Sequence, residues 1–177
     1  VAGSFGISGG KSFDIGAEGK LSVFATGSFS NEYTSKRNGS AKGSVSGDGS
    51  LIIKNFKTYT SMGYNTNTTG LVNVGYKINN NHKISFNSLF INSSSQVKDE
   101  YFGYVADLED TGNGLIRRSQ YVKNTLFVNQ LLGEHTISSR SKFNWGVAQN
   151  NITGDTPDRM YNSFKKTDEG YVLISKS

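Results

Sequence analysis

Two clusters in the chain combine aromatic rings with charge. Tyr101, Phe102 and Tyr104 follow directly on Asp99 and Glu100, and Arg159, Met160, Tyr161 and Phe164 form the second group. Rings beside charges in a hydrophilic stretch suit stacking on a sugar or an aromatic chelate, with the charges setting orientation. Packing against neighbouring loops accounts for them equally well, and Arg159 has Asp158 beside it as an ordinary partner. Tyr101, Phe102, Tyr104, Arg159 and Tyr161 are the candidate ligand-binding residues.

The other chemistry-bearing groups carry less. Asp107, Glu109 and Asp110, with Asp99 and Glu100, make an acidic stretch. Carboxylates bind calcium when several converge. The default is a solvated loop, so Asp107, Glu109 and Asp110 stand only as weak calcium candidates, and Asp155 and Asp158 are read the same way. His82 and His135 lack the nearby further ligands that zinc requires and are expected at equivalent surface turns, so no metal is expected. Gly6 to Ser12 resembles a phosphate-binding loop, but Phe5 stands where the pattern needs glycine, and alternating Phe13 and Ile15 follow where it needs a helix. Neither histidine lies in a Ser–His–Asp context, there is no cysteine nucleophile, and the carboxylates fall in polar stretches. The expectation is a protein that is not an enzyme and carries no cofactor. Its net charge of +5 is spread over separate groups, Lys36, Arg37 and Lys42 in one and Arg117 and Arg118 in another, so no nucleic-acid partner is expected.

The elements that must hold these residues are extended. Leu21, Val23, Ala25, Gly27 and Phe29 share one parity, opposite Ser22, Thr26 and Ser28. Gly70, Val72, Val74, Tyr76 and Ile78 repeat the pattern, as do Ile84, Phe86 and Phe90, and then Ile137, Phe143, Trp145 and Val147. Period-two alternation over about ten residues is what a tilted strand needs to cross a bilayer. Short turns are expected at 16–19, 79–81 and 133–134, and long polar loops at about 31–67, 93–114 and 149–170. That leaves about seven strands: 1–15, 20–31, 68–79, 83–92, 117–132, 135–148 and 170 onward, with 51–64 as an extension of one of them. The words Lys20-Leu21-Ser22-Val23, His82-Lys83-Ile84-Ser85 and His135-Thr136-Ile137-Ser138 mark the hairpin starts of a weak repeat.

Composition agrees with this division of faces. Apolar residues are only 34% of the chain while aromatics reach 12%, and mean hydropathy is −0.46. A soluble fold this poor in apolar residues would struggle to offset its ordering entropy. A large barrel needs apolar side chains on one face only. The expected fold class is therefore all-β, a transmembrane antiparallel up-and-down β-barrel. Tyr76 is expected in one interfacial ring girdle, and Phe29, Tyr33, Phe143 and Trp145 in the other, toward the long loops. No basic, apolar leader opens the chain, and a seven-strand barrel breaks the even count of bacterial barrels. Residues 1–177 are accordingly expected to be one portion of a larger barrel.

Gln130-Leu131-Leu132-Gly133-Glu134-His135, Phe143-Asn144-Trp145-Gly146-Val147-Ala148 and Pro157-Asp158-Arg159 resemble a strand, a turn of the form G-x-H, a tryptophan-bearing strand and a PDR loop in the barrels of TonB-dependent receptors of Bacteroidetes-type bacteria. The resemblance is best over about 117–160, extends to 68–92, and before residue 60 rests on barrel character. It implies a barrel of about 22 strands enclosing a plug domain not contained in this chain. It further implies the bacterial outer membrane and TonB-energised uptake of a siderophore, vitamin, glycan or peptide. The lipid bilayer and TonB would be its partners, and a surface lipoprotein is suggested by similarity to glycan-importing receptors. A passive porin-type barrel and a surface adhesin or binding module are the alternatives.

Overall fold

A computed structural model describes residues 2–49 and 51–176; the side chains at 40, 42 and 109–111 fall outside the description as well. Among the described residues seven strands follow one another: β1 (Gly3–Ile15), β2 (Gly19–Val45), β3 (Ile52–Lys77), β4 (His82–Val105), β5 (Glu109–Ser138), β6 (Ser141–Thr167) and β7 (Gly170–Lys176). They form one antiparallel sheet in the order β1-β2-β3-β4-β5-β6-β7. Each strand pairs with its neighbours in sequence, which makes an up-and-down meander. The sheet is open, with β1 and β7 at the two ends of the order. Among the described residues no helix is long and apolar enough to cross a membrane.

The three long loops expected from sequence are instead strand. β2 to β6 have 24 to 30 residues each, roughly 80–100 Å of extended chain. The expected extension over 51–64 is part of β3. What remains of the loops are tight connections. Ser46 N–H donates to Leu51 O, and Gly49, at φ +74°, donates to Ser46 O. Leu108 N–H donates to Val105 O across the next turn, and Thr167 Oγ1 donates to Gly170 O at the last. The hidden part of each strand is rich in Ser, Thr and Asn. These residues bond across the ladder, as Thr66 with Ser94 at 2.7 Å and Asn92 with Thr125 at 2.9 Å. A sheet wet on both faces has no reason to alternate in hydropathy.

The third short turn is also displaced. Gly133 and Glu134 lie inside β5, and the chain reverses at 139–140. Gly133 faces Trp145, and a Cβ there would stand 2.2 Å from the indole ring. Glycine at this position makes room for a ring rather than for a turn. Phe143 and Trp145 consequently lie near the short-turn end of β6, level with Tyr76 through Ile84 and Gly133. They do not lie toward the opposite end, as the sequence suggested.

Register sorts the side chains onto two faces, because directly paired residues point the same way. One face carries Phe5, Ile7, Phe13 and Ile15 of β1, Leu21, Val23, Ala25 and Phe29 of β2, and Val72, Val74 and Tyr76 of β3. It continues through Ile84, Phe86 and Phe90 of β4, Phe127 and Leu131 of β5, and Trp145 and Val147 of β6. Lys11, Ser88 and Asn129 interrupt it. The other face presents Ser12, Ser22, Gly75 and Ser85, then Asn73 and Asn87 joined by an amide hydrogen bond. It has its own apolar patch at Leu71, Leu89, Ile91, Leu126, Val128 and Ile152. There is almost no interior: among the described residues the buried hydrophobics are Val105 and Ile116, each 3% exposed.

The apolar band slopes across the strands. Its upper edge falls from Phe5 and Phe29, through Phe90 and Phe127, to Val147. Val147 is level, through Leu131, Phe86, Val74 and Val23, with Lys11, which is six positions along β1 from Phe5. Strands tilted by about 40° and spaced about 4.8 Å apart displace a horizontal layer by about 1.2 residues per strand, or about six over five steps.

Candidate functional site

Beyond the band, toward the turns at 46–51 and 106–108, the polar face gathers rings and cations. Tyr101 of β4 stands between Phe56 and Tyr59 of β3, with ring centroids 5.1 and 4.8 Å away. The Tyr59 hydroxyl donates to Asp99 Oδ1 at 3.0 Å, and Asp99 is only 8% exposed. Arg118 lies opposite Asp99 on β5 and donates from Nη2 to Gln120 Oε1 at 3.0 Å. Tyr161 of β6 lies opposite Arg118, and Arg159 opposite Gln120. Lys54, Phe56, Tyr101, Ile116, Arg118 and Tyr161 line a cleft of about 160 Å³, room for one ring rather than a whole drug-sized ligand.

A bulge shapes the cleft. Lys57 is the extra residue between the Phe56–Gly103 and Thr58–Phe102 pairs. The additional residue shifts parity, which lets Phe56 share a face with Tyr59. Gly103, at φ +157°, approaches the β3 backbone so closely that a Cβ would stand 2.2 Å from Asn55 O. Burial, the Asp99 carboxylate and Tyr59 push the Tyr101 phenol above its ordinary value, against the opposing pull of Arg118.

Of the five candidate residues, the fold brings Tyr101 and Tyr161 to this cleft, with Arg159 beside it on the same face. Phe102 alternates to the opposite face, opposite Leu115, and Tyr104 pairs with Asn55 without lining the cleft. Sequence reading missed Phe56, Tyr59, Arg118 and Lys54. Parity carries part of the signal, since Asp99 and Tyr101 are two apart on one strand; the pairing of β3 with β4 carries the rest. Arg117 and Arg118, adjacent in sequence, separate to opposite faces. Arg117 Nε bonds Glu100 Oε1 at 2.8 Å and the guanidinium lies 5.6 Å over the Phe164 ring.

Asp107 sits exposed in a turn, while the side chains of Glu109 and Asp110 lie outside the described residues. Among the described residues no three His, Asp or Glu side chains converge. Gly6 to Ser12 is extended strand inside β1, with no phosphate cradle.

His82 and His135 do come together, and His135 is a residue of β5 rather than of a turn. Their Nδ1 atoms are 3.0 Å apart, and Trp145 Nε1–H donates to His135 Nε2 at 2.9 Å. That bond places the proton of neutral His135 on Nδ1, directed at His82 Nδ1, which accepts it. A metal on His135 Nδ1 would force the proton to Nε2, against the indole N–H. The pair is hydrogen-bonded, near the short-turn end of the strands. No protein-family model, curated protein or solved structure matches this chain.

Proposed function

We propose that this sheet is part of the wall of a Gram-negative outer-membrane β-barrel that takes up a scarce ligand by a TonB-energised, plug-gated route. The observation that carries the reading is the apolar band on one face, which runs across six strands, slopes as a tilted sheet demands, and is rimmed by rings. Phe5 and Phe29, 5.9 Å apart, and Tyr33 and Tyr64, 4.5 Å apart, mark one rim; Tyr76, Phe143 and Trp145 mark the other. A soluble sheet would bury such a band against a second layer, whereas a bilayer covers it directly. Strand lengths fit the same frame. About ten residues cross the hydrocarbon, and the rest stand clear in water.

In this reading the Tyr101–Arg118–Tyr161 cleft lies beyond the membrane on the inward wall, where a ligand ring stacks and an anionic group meets Arg118, Arg159 or Lys54. The work is capture and passage; no residue here acts as an enzyme's nucleophile. Siderophore, vitamin, glycan and peptide are the candidate cargo classes.

The test uses the intact protein in its own envelope. Fluorescent probes at Val72, Val74 and Phe86 are quenched by lipid-borne quenchers, and probes at Asn73, Gly75 and Ser85 by aqueous ones. Ligand uptake stops when the inner-membrane proton gradient is collapsed. Uptake that survives the collapse identifies a passive barrel. Aqueous quenching at all six positions identifies a surface adhesin or binding module and ends the membrane reading.

A further inference from the structure

Near the short-turn end, on the polar face, three lysines stand side by side. Lys20 of β2 is directly opposite Lys77 of β3, and Lys77 is directly opposite Lys83 of β4. Like charges paired across a ladder destabilise a sheet, so Lys77, with a lysine on each side, calls for a counter-charge. Asp14 flanks the row beyond Lys20 and Glu134 beyond Lys83, and Asn144 lies opposite Glu134. Glu100 is paired with Arg117 at the far end of the strands. Lys77 Nζ is held by Asn80 Oδ1 at 2.7 Å, a neutral acceptor.

Above the row lies open space. Lys20, Lys77 and Lys83, with Ser22, Asn73, Gly75 and Ser85, line a trough of about 480 Å³. Its floor is the paired row Ser22, Gly75 and Ser85, and a Cβ added to Gly75 would meet nothing within 4 Å. The trough therefore runs across the strands, about 10 Å from β2 to β4 at the usual strand spacing, bordered along its length by ammonium groups.

We propose that this trough is a docking surface for an acidic polypeptide segment lying across β2, β3 and β4, its carboxylates matched to Lys20, Lys77 and Lys83. A lipid headgroup fits the placement less well, because the lysines project from the face opposite the apolar band. A compact anion fits the shape less well, because three charges in a line are best met by several carboxylates along a chain. The proposal needs only that the polar face be wet and stands whether or not the barrel is an energised transporter.

The test measures binding of a fluorescent glutamate-rich peptide to the intact protein in detergent, beside a glutamine-rich peptide and inorganic tripolyphosphate. The acidic peptide binds, and binding weakens with salt. Lys77→Gln weakens it by about threefold to tenfold, a loss of the size expected for one partly exposed charge. Lys98→Gln, on the opposite face of β4, leaves it unchanged. A variant that had merely misfolded would lose thermal stability, whereas Lys77→Gln removes a repulsion and holds or raises it. Equal binding of the two peptides overturns the proposal, as does an acidic-peptide affinity untouched by Lys77→Gln. Tight tripolyphosphate binding without peptide binding also overturns it, in favour of a small-anion site.

Discussion

Trp145 lies across Gly133, its neighbour on the next strand, in space that any other residue would fill, and from there reaches His135 with its indole N–H. The glycine and the tryptophan work as one unit: the first removes a side chain so that the second can cover the ladder. Gly133→Ala puts a Cβ into the indole and forces the ring away, at a cost of about 1–3 kcal/mol for overpacking. Trp145 is the chain's one tryptophan, so its emission reports the displacement. The midpoint of thermal unfolding reports the cost.

His135→Phe tests the other half of that unit. The ring remains, but the indole loses its acceptor and His82 loses its donor. A destabilisation of about 1 kcal/mol is expected, again read by thermal unfolding. His82→Phe leaves the indole bond in place and shifts Trp145 emission less.

Adjacent residues on β3 separate the two faces. Val74→Arg, in the apolar band, costs about 2–4 kcal/mol if the band lies at mid-bilayer, and Asn73→Arg, one residue away on the polar face, costs far less. Denaturant titration in lipid vesicles measures both. Equal costs contradict the assignment of faces.

The Tyr101 phenol gives a pH signature. Its value in the folded protein is raised above 10.0 by burial first and then by the Asp99 carboxylate and Tyr59. The folded state therefore keeps this proton where the unfolded chain has released it. The stabilising contribution is complete below pH 10.0 and is lost as pH rises through the raised value. The phenolate absorbance of the native protein contains a late-titrating component that Tyr101→Phe removes. In that variant, stability falls less steeply above pH 10.0.

Ligand capture provides a paired comparison. Arg118→Ala, on the face of the cleft, weakens binding of an anionic cargo by about tenfold or more, as loss of a charge-assisted bond does. Arg117→Ala, on the opposite face, changes it little. Equilibrium binding to the intact protein decides, and equal losses displace the ligand from this cleft.

The sequence revealed what water and apolar surface impose and little else. Val72, Val74 and Tyr76 alternate against Asn73 and Lys77, because one side of that segment is apolar and the other is not, and β3 was legible there. Asn65, Thr66 and Asn67 belong to the same strand yet show no alternation, since both of their sides are polar, and they read as loop. Gly133 read as a turn because glycine serves turns more often than it seats an indole. Tyr101 and Tyr161 were visible as exposed rings. Phe56 and Arg118 joined them only through pairing between strands, a long-range relation that no local pattern encodes.

One consequence follows from the length of β2 to β6 beyond the band. There the ladder is maintained chiefly by backbone bonding and short polar bridges, with Val105 and Ile116 as the small interior. Side chains on such a surface can be exchanged without disturbing a packed layer beneath them. Recognition chemistry is thereby uncoupled from foldability, and the outer reach of the sheet can acquire new specificities by single substitutions at little energetic cost.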